Sequence, residues 1–277
     1  GDVYSFGYNE YGQLGVRINS QSNRTHIPQK VNVPQIKQIS CGLNFSVCLS
    51  IDGNLYSFGN NYNGQIGIGS EYNYNYPQHV TTIKNIDFVE CGGKFVICKT
   101  FDNEIYGWGE NDYGQLGIRN TENQHIPFKC TTWPDNIVDI KCSRFHTLVL
   151  TFEQEVYSCG YSGCGQLGRL VERYSPVLEK IPSLSNIFRI EYGDDFSKCM
   201  DCNGNVFIFG DNFNNQLGLG NDISQHYPIQ HPLSSKKIID ISSKGIHNFF
   251  KTTTNEIYGF GRNNYQQIGV KTENYNQ

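Results

Sequence analysis

Short apolar segments with alternating polar positions run along the whole chain, and turn residues bound each one. The first is Val3-Tyr4-Ser5-Phe6, followed by a glycine; it returns at 55–58, 105–108, 156–159, 206–209 and 257–260. Alternation over so few residues, closed by glycine, predicts half-buried strands. A second pattern is Ile-x-x-Ile/Val-x-Cys, at Ile36/Ile39/Cys41, Ile86/Val89/Cys91 and Ile137/Ile140/Cys142, with looser copies at Ile187/Ile190/Tyr192 and Ile238/Ile241/Ser243. After a short turn come Phe45, Phe95, His146, Phe196 or His247 and another alternating strand, such as Ser46-Val47-Cys48-Leu49. Prolines at 28, 77, 127, 176 and 228 open a further extended segment. Proline removes a ladder donor, so these segments are read as strand starts or edges.

The glycines at 7, 59, 109, 160, 210 and 261 give the period, with intervals of 52, 50, 51, 50 and 51 residues. So regular a spacing points to an array of one structural unit. Four short strands per unit and no helical period are the anatomy of a β-propeller blade. Such a blade leaves both faces open until neighbours stack on it. The expected fold is all-β, with four-stranded blades and residues 1–277 forming one domain of five full repeats and part of a sixth. Closing six blades takes about 300 residues and closing seven about 350. The chain is therefore expected to be a partial six- or seven-bladed ring, or a smaller variant.

Composition narrows the function. The formal charge is −4, and the 22 basic residues are dispersed, with only Lys236-Lys237 adjacent. Duplex DNA binding relies on clustered cations, so none is expected from this segment. No apolar run reaches the length of a membrane span. Six of the ten cysteines recur in phase, at 41, 91 and 142 and at 48, 98 and 199. Equivalent positions in different blades lie far apart, so buried free thiols in a reducing compartment, cytoplasmic or nuclear, are expected. Cys199 and Cys202 form a lone C-x-x-C without two further ligands nearby, so neither a metal nor a cofactor is expected. The sequons at Asn23 and Asn44 carry little weight without another sign of secretion.

What recurs in every copy reads as architecture. The structural set includes Gly7, Gln13, Gly15, Gln65, Gln115, Gln166, Gln216 and Gln267. The Gly15 phase never varies, as expected for a left-handed turn or a close backbone approach. Before the glutamine, Asn215 and Gln266 replace glycine; the second replacement predicts a distorted last turn. A glutamine amide fixed in a turn can satisfy backbone groups where units meet. Six equivalent catalytic glutamines are implausible.

The pattern Val-Tyr-x-Phe/Trp-Gly-x-Asn-x-x-Gly-Gln-Leu-Gly, with Cys-Gly-x-x-His/Phe some way on, resembles the repeat of the regulator of chromosome condensation (RCC1) family along essentially the whole chain. The resemblance implies a seven-bladed ring that presents loop faces to protein partners. Founding members of that family catalyse guanine-nucleotide exchange on Ran-type small GTPases with a wedge hairpin inserted in one blade. The even spacing here leaves no room for such a hairpin. By resemblance, the contact phase falls on Leu43-Asn44, Gly93-Lys94, Arg144-Phe145, Asp194-Asp195 and Gly245-Ile246. Asn44, Lys94, Arg144, Asp194 and Asp195 are the partner-binding candidates it offers. The aspartates would be the acidic element of exchange; as plain architecture they are solvated turn residues. Tyr72, Tyr74 and Tyr76 form a second candidate surface, because alternate tyrosines on one face anchor partners at little entropic cost. His26, His125 and His226 share a loop-packing phase, and His146 and His247 an aromatic one. With no nucleophile–base pair, phosphate loop or paired-acid motif, the expectation is a non-catalytic protein-interaction scaffold. The alternative is a guanine-nucleotide exchange factor or regulator for a small GTPase.

Overall fold

The computed structural model describes residues 1–18 and 23–269. Its regular structure is β-strand apart from one 3-10 turn at Pro232–Lys236, and no helix is long and apolar enough to cross a membrane. The chain divides into two compact units, one of residues 1–112 and 118–133, the other of 113–117 and 134–277.

In the first unit, β1 (Tyr4–Tyr8) and β2 (Arg24–Lys30) form a two-stranded sheet. Two four-stranded meanders follow. One contains β3 (Ile36–Cys41), β4 (Phe45–Ser50), β5 (Leu55–Gly59) and β6 (Tyr74–Val80). The other contains β7 (Ile86–Cys91), β8 (Phe95–Thr100), β9 (Ile105–Gly109) and β10 (Gln124–Lys129). The second unit holds two more, β11 (Ile137–Cys142) to β14 (Tyr174–Lys180) through β12 (His146–Thr151) and β13 (Val156–Tyr161), and β15 (Ile187–Tyr192) to β18 (Gln225–Gln230) through β16 (Phe196–Asp201) and β17 (Val206–Gly210). A three-stranded sheet, β19 (Ile238–Lys244), β20 (His247–Thr252) and β21 (Ile257–Gly261), ends the described strands. Every pairing is antiparallel, and Phe45↔Gly59, Phe95↔Gly109, His146↔Gly160, Phe196↔Gly210 and His247↔Gly261 share one register.

Sheets and sequence repeats are out of step. Each four-stranded sheet takes the last two strands of one repeat and the first two of the next, joined by a polar turn such as Asp52-Gly53. The covalent repeat therefore bridges two sheets, which ties neighbours together before any side chain packs.

Inner strands are buried on both faces, and alternate residues serve different neighbours. Val47 and Leu49 of β4 join Ile86, Val89, Cys91 and Trp108 in one cluster. Cys48, between them, packs with Val3, Val31 and Phe58 in another. The second unit repeats the arrangement: Leu148 and Leu150 pack on Ile187, Ile190 and Phe209, and Phe196 and Met200 pack on Ile241 and Phe250. All ten cysteines are free, but Cys41 and Cys202 are exposed and Cys164 is half-buried, against the expectation of uniform burial. Cys202 follows the end of β16, where a side chain points to solvent. Burial holds the inner thiols protonated, pushing Cys48 up to about 12.

The repeated turns are built by asparagine and glutamine together. Asn61 Oδ1 accepts from Ile66 N at 2.8 Å while its Nδ2 donates to Ser70 O at 2.6 Å. Asn9 and Asn212 repeat both bonds with their own loops. Glutamine closes the same turn from inside: Gln65 Oε1 accepts from Asn63 N at 2.9 Å, and Gln13, Gln115, Gln166, Gln216 and Gln267 do likewise. Their carbonyls face the following sheet. Ser46 Oγ, Trp108 Nε1, Thr147 Oγ1 and Ser197 Oγ donate to the carbonyls of Gln13, Gln65, Gln115 and Gln166 at 2.7–3.0 Å. The distortion expected at Gln266 is absent. Its φ is 59°, near the 54° of Asn215. The bonds Gln266 N to Asn263 O (2.9 Å) and Gly269 N to Gln266 O (3.0 Å) match those of the Gly64 turn. Two turn hydrogen bonds offset the roughly 1 kcal/mol cost of a left-handed residue there.

Ser162 stands where asparagine stands elsewhere; it is buried and its Oγ has no hydrogen-bond partner among the described residues. Ser162→Asn is expected to restore the staple and raise stability by about 1 kcal/mol, read as a rise in the urea midpoint. A lower midpoint would show that the loop of 162–173 cannot take the longer amide.

Candidate protein-interaction surface

The β3–β4 type of hairpin ends beside the residue that follows each invariant glycine. The backbone makes that meeting obligatory. Asn60 N donates to Asn44 O (2.8 Å), Glu110 N to Lys94 O (2.9 Å), Tyr161 N to Phe145 O (2.9 Å), Asp211 N to Asp195 O (2.8 Å) and Arg262 N to Ile246 O (2.9 Å). Each sheet thus carries a two-residue station at its tip, fixed in position by strand register and free in chemistry. The first unit presents Asn44/Asn60 and Lys94/Glu110, the second Phe145/Tyr161, Asp195/Asp211 and Ile246/Arg262.

Side chains complete the stations. Lys94 Nζ sits 3.2 Å from Glu110 Oε1, pairing a buried carboxylate with a half-exposed ammonium. Gln13 Nε2 lies 3.4 Å from Asn44 Oδ1 and Gln65 Nε2 2.7 Å from Asn60 Oδ1. Gln166 Nε2 reaches Asp195 Oδ1 at 3.2 Å, and Gln216 Nε2 reaches Asp211 Oδ2 at 2.5 Å. The glutamines therefore hold the turns and also orient station side chains. Neighbouring hairpins are tied within each unit: Leu43 N donates to Gly93 O (2.9 Å), Ser143 Oγ to Asp194 O (2.7 Å) and Asp194 N to Gly245 O (2.9 Å).

The second unit has the more distinctive chemistry. Tyr113 packs its ring on Phe145, Tyr161 and Tyr174 at centroid distances of 5.4, 4.9 and 6.5 Å. The Arg144 guanidinium lies 4.9 Å over the Phe145 ring. Burial, reinforced by Asp194 and Asp211, raises the Asp195 carboxyl above its usual range, while Arg144 and the Gln166 bond pull the other way. Cys164 is pushed up to about 11, first by burial and then by Asp211 and Asp195, so its thiol stays protonated.

Of the residues singled out in the sequence, Asn44, Lys94, Asp194 and Asp195 lie at these tips, and Arg144 borders the aromatic station. The three tyrosines are not brought together on one face. Tyr74 is half-buried, packs on the core and donates from its hydroxyl to Ser70 Oγ at 3.1 Å, whereas Tyr72 is 80% and Tyr76 54% exposed. The chain bends at Tyr72, whose N donates to Ser70 Oγ, so strand alternation does not extend back to Tyr72. His146 is fully buried, and burial depresses it to about 3; its Nε2 lies 2.9 Å from Ser197 Oγ in the core. His226 backs onto the Gly165 turn. His125 lies 3.6 Å from Glu71, and His26 is exposed. Among the described residues, no three His, Cys, Asp or Glu side chains group as a metal site. The second half of each station escaped the sequence reading, although Asn60, Glu110, Tyr161, Asp211 and Arg262 vary as freely as the hairpin residues.

Comparison with known proteins fits this geometry. The RCC1-like domain matches residues 2–277. The chain is 29% identical to the Arabidopsis thaliana ultraviolet-B receptor UVR8 over 276 residues, 97% of this chain and 62% of that protein. It is 41% identical to the human X-linked retinitis pigmentosa GTPase regulator over 227 residues, 79% of this chain and 22% of that protein. The solved structure of human WBSCR16 superposes with a TM-score of 0.82 at 20% identity, covering 95% of this chain and 75% of that one. The chain spans less than two thirds of the length of either curated relative. With an all-β fold of four-stranded antiparallel blades and a domain match along its whole length, the chain belongs to the RCC1-like β-propeller family.

Proposed function

We propose that this chain is a non-catalytic protein-interaction platform, with the hairpin-tip stations as its contact surface. One observation carries the reading: five stations share one backbone geometry and differ in nearly every side chain. An architecture that needed those residues for folding would repeat them, as it repeats glutamine. Ten free thiols suit a reducing compartment, cytoplasmic or nuclear. Related proteins bear the names of a receptor and a GTPase regulator, and a small GTPase is the partner class that the second name suggests.

Regulation of a small GTPase by nucleotide exchange is the second reading, and the acidic Asp194/Asp195/Asp211 group favours it. Against it, among the described residues every strand belongs to a blade and none forms an inserted wedge. The test pairs two measurements on a panel of small GTPases, binding to the immobilised chain and release of a fluorescent guanine nucleotide. Binding is expected to fall at least tenfold on Lys94→Glu or Asp195→Asn, with release unchanged. Release accelerated tenfold by the chain, and lost in Asp194→Ala/Asp195→Ala, would replace the platform with exchange. If neither these GTPases nor any other protein bound through the stations, both readings would fall.

A further inference from the structure

The second unit sets an aromatic surface and an acidic one side by side, and each is incomplete alone. Tyr113, Phe145, Tyr161 and Tyr174 form a contiguous set of rings, with Tyr174 44% exposed and the others half-buried. Next along the unit come Asp194, Asp195 and Asp211. Asp195 Oδ1 accepts from Gln166 Nε2, in the turn that follows Tyr161, which sets the carboxylate on the same side as the rings. The Ser143 Oγ bond to Asp194 O holds the two hairpins together.

From the hairpins, Arg144 faces this group with its guanidinium 4.9 Å from the centre of the Phe145 ring, while Arg173 acts on Tyr161 from the loop before β14 and His247 faces Asp194. Asp195 and Asp211 each accept one glutamine amide, and Asp211 accepts also from Phe213 N and Ser224 Oγ. Neither carboxylate has an ion-pair partner among the described residues. Three aspartates thus sit at neighbouring tips without an ion pair among the described residues, and aromatic faces adjoin them. A planar cation suits this combination better than a spherical one, because guanidinium can stack on a ring and fork to carboxylate oxygens together. Arg144 on Phe145 is the internal example.

We propose that this surface binds an arginine-bearing segment of a partner protein, its guanidinium groups stacking on the Tyr161/Tyr174 side and pairing with Asp195 and Asp211. The inference rests on the platform reading above and specifies the partner's chemistry at one pair of stations. Charge complementarity favours it, since none of the three aspartates has an ion-pair partner among the described residues and the partner would supply one. Duplex nucleic acid, by the same argument, is repelled.

The test measures fluorescence anisotropy of a labelled peptide alternating glycine and arginine, with the full chain in low-salt buffer. Matched peptides carry lysine or glutamine in place of arginine. The arginine peptide is expected to bind at least fivefold tighter than the lysine peptide and to weaken as salt rises. Asp195→Asn/Asp211→Asn should weaken it at least tenfold, and Tyr161→Leu should erase the preference over lysine. The asparagine variants suit the fold, because Asn44 and Asn60 occupy the same two positions in an earlier blade; unchanged circular dichroism melting checks this. Equal binding of arginine and lysine peptides, no change in the double asparagine variant, or no binding by the native chain would overturn the proposal. A station-dependent protein partner whose capture the arginine peptide does not displace would leave the platform standing and remove this inference alone.

Discussion

Lys198→Met is expected to stabilise the protein by about 2–4 kcal/mol at pH 7 and by almost nothing near pH 10.5. Lys198 lies in β16, at the phase filled by Val47, Ile97 and Leu148 in the other sheets. Its side chain is fully buried, and its Nζ has no hydrogen-bond partner among the described residues. Partial compensation comes from the Phe250 ring, 5.6 Å from Nζ, and from the charges of Glu191, its cross-strand neighbour, and Asp240, with Arg189 repelling. Burial therefore depresses the ammonium to about 7. An unfolded lysine stays charged up to about pH 10.4. Because the native pKa is the lower one, the penalty is full below about pH 7 and disappears as pH rises through the unfolded value. Native stability should climb across that window by the amount the variant loses as an advantage. Urea unfolding of both proteins from pH 6 to pH 10 reads the difference directly. A variant no more stable than the native protein at pH 7, or a constant gap across the range, would show that the amine reaches water or a carboxylate.

Lys198 also marks a limit of sequence reading. The repeat made its position visible as an apolar phase, yet a single lysine on a strand reads equally well as a solvent-facing residue. Only the neighbouring sheet, which places Phe250 over it, decides. The fold itself was legible because glycine, glutamine and proline recur at a fixed period, and each has a backbone reason to be where it is. Half of each station was legible too, since Asn44, Lys94 and Asp195 sit in turns between two predictable strands. Their partners, Asn60, Glu110 and Asp211, were overlooked because the invariant glycine before them drew the reading toward architecture. The tyrosines differ in exposure for a local reason: Tyr72 lies at a bend before β6, and the β5–β6 register shifts between Gly59↔Tyr74 and Ser57↔Gln78, so strict alternation does not run through 72–76.

The second large effect concerns the contact that links one sheet's turn to the next sheet's strand. Trp108 is fully buried, its Nε1 donates to Gln65 O at 3.0 Å, and a methyl placed on Gly67 would lie 2.6 Å from that nitrogen. Trp108→Ala is expected to cost about 3–5 kcal/mol, from the cavity and from the bond lost at the Gln65 carbonyl. Trp108→Phe should cost about 1–2 kcal/mol, because phenylalanine already fills this phase at Phe58, Phe209 and Phe260 and only the indole donor and some volume are lost. Gly67 has a φ of 82°, so Gly67→Ala combines left-handed strain of about 1–2 kcal/mol with a collision against the indole. In the Trp108→Ala background the collision disappears and only the backbone strain remains. The two substitutions should therefore fall short of additivity by at least about 1 kcal/mol in a double-mutant cycle of urea unfolding. Strict additivity would mean that ring and glycine do not share the same space, and that the turn is positioned by its asparagine and glutamine bonds alone.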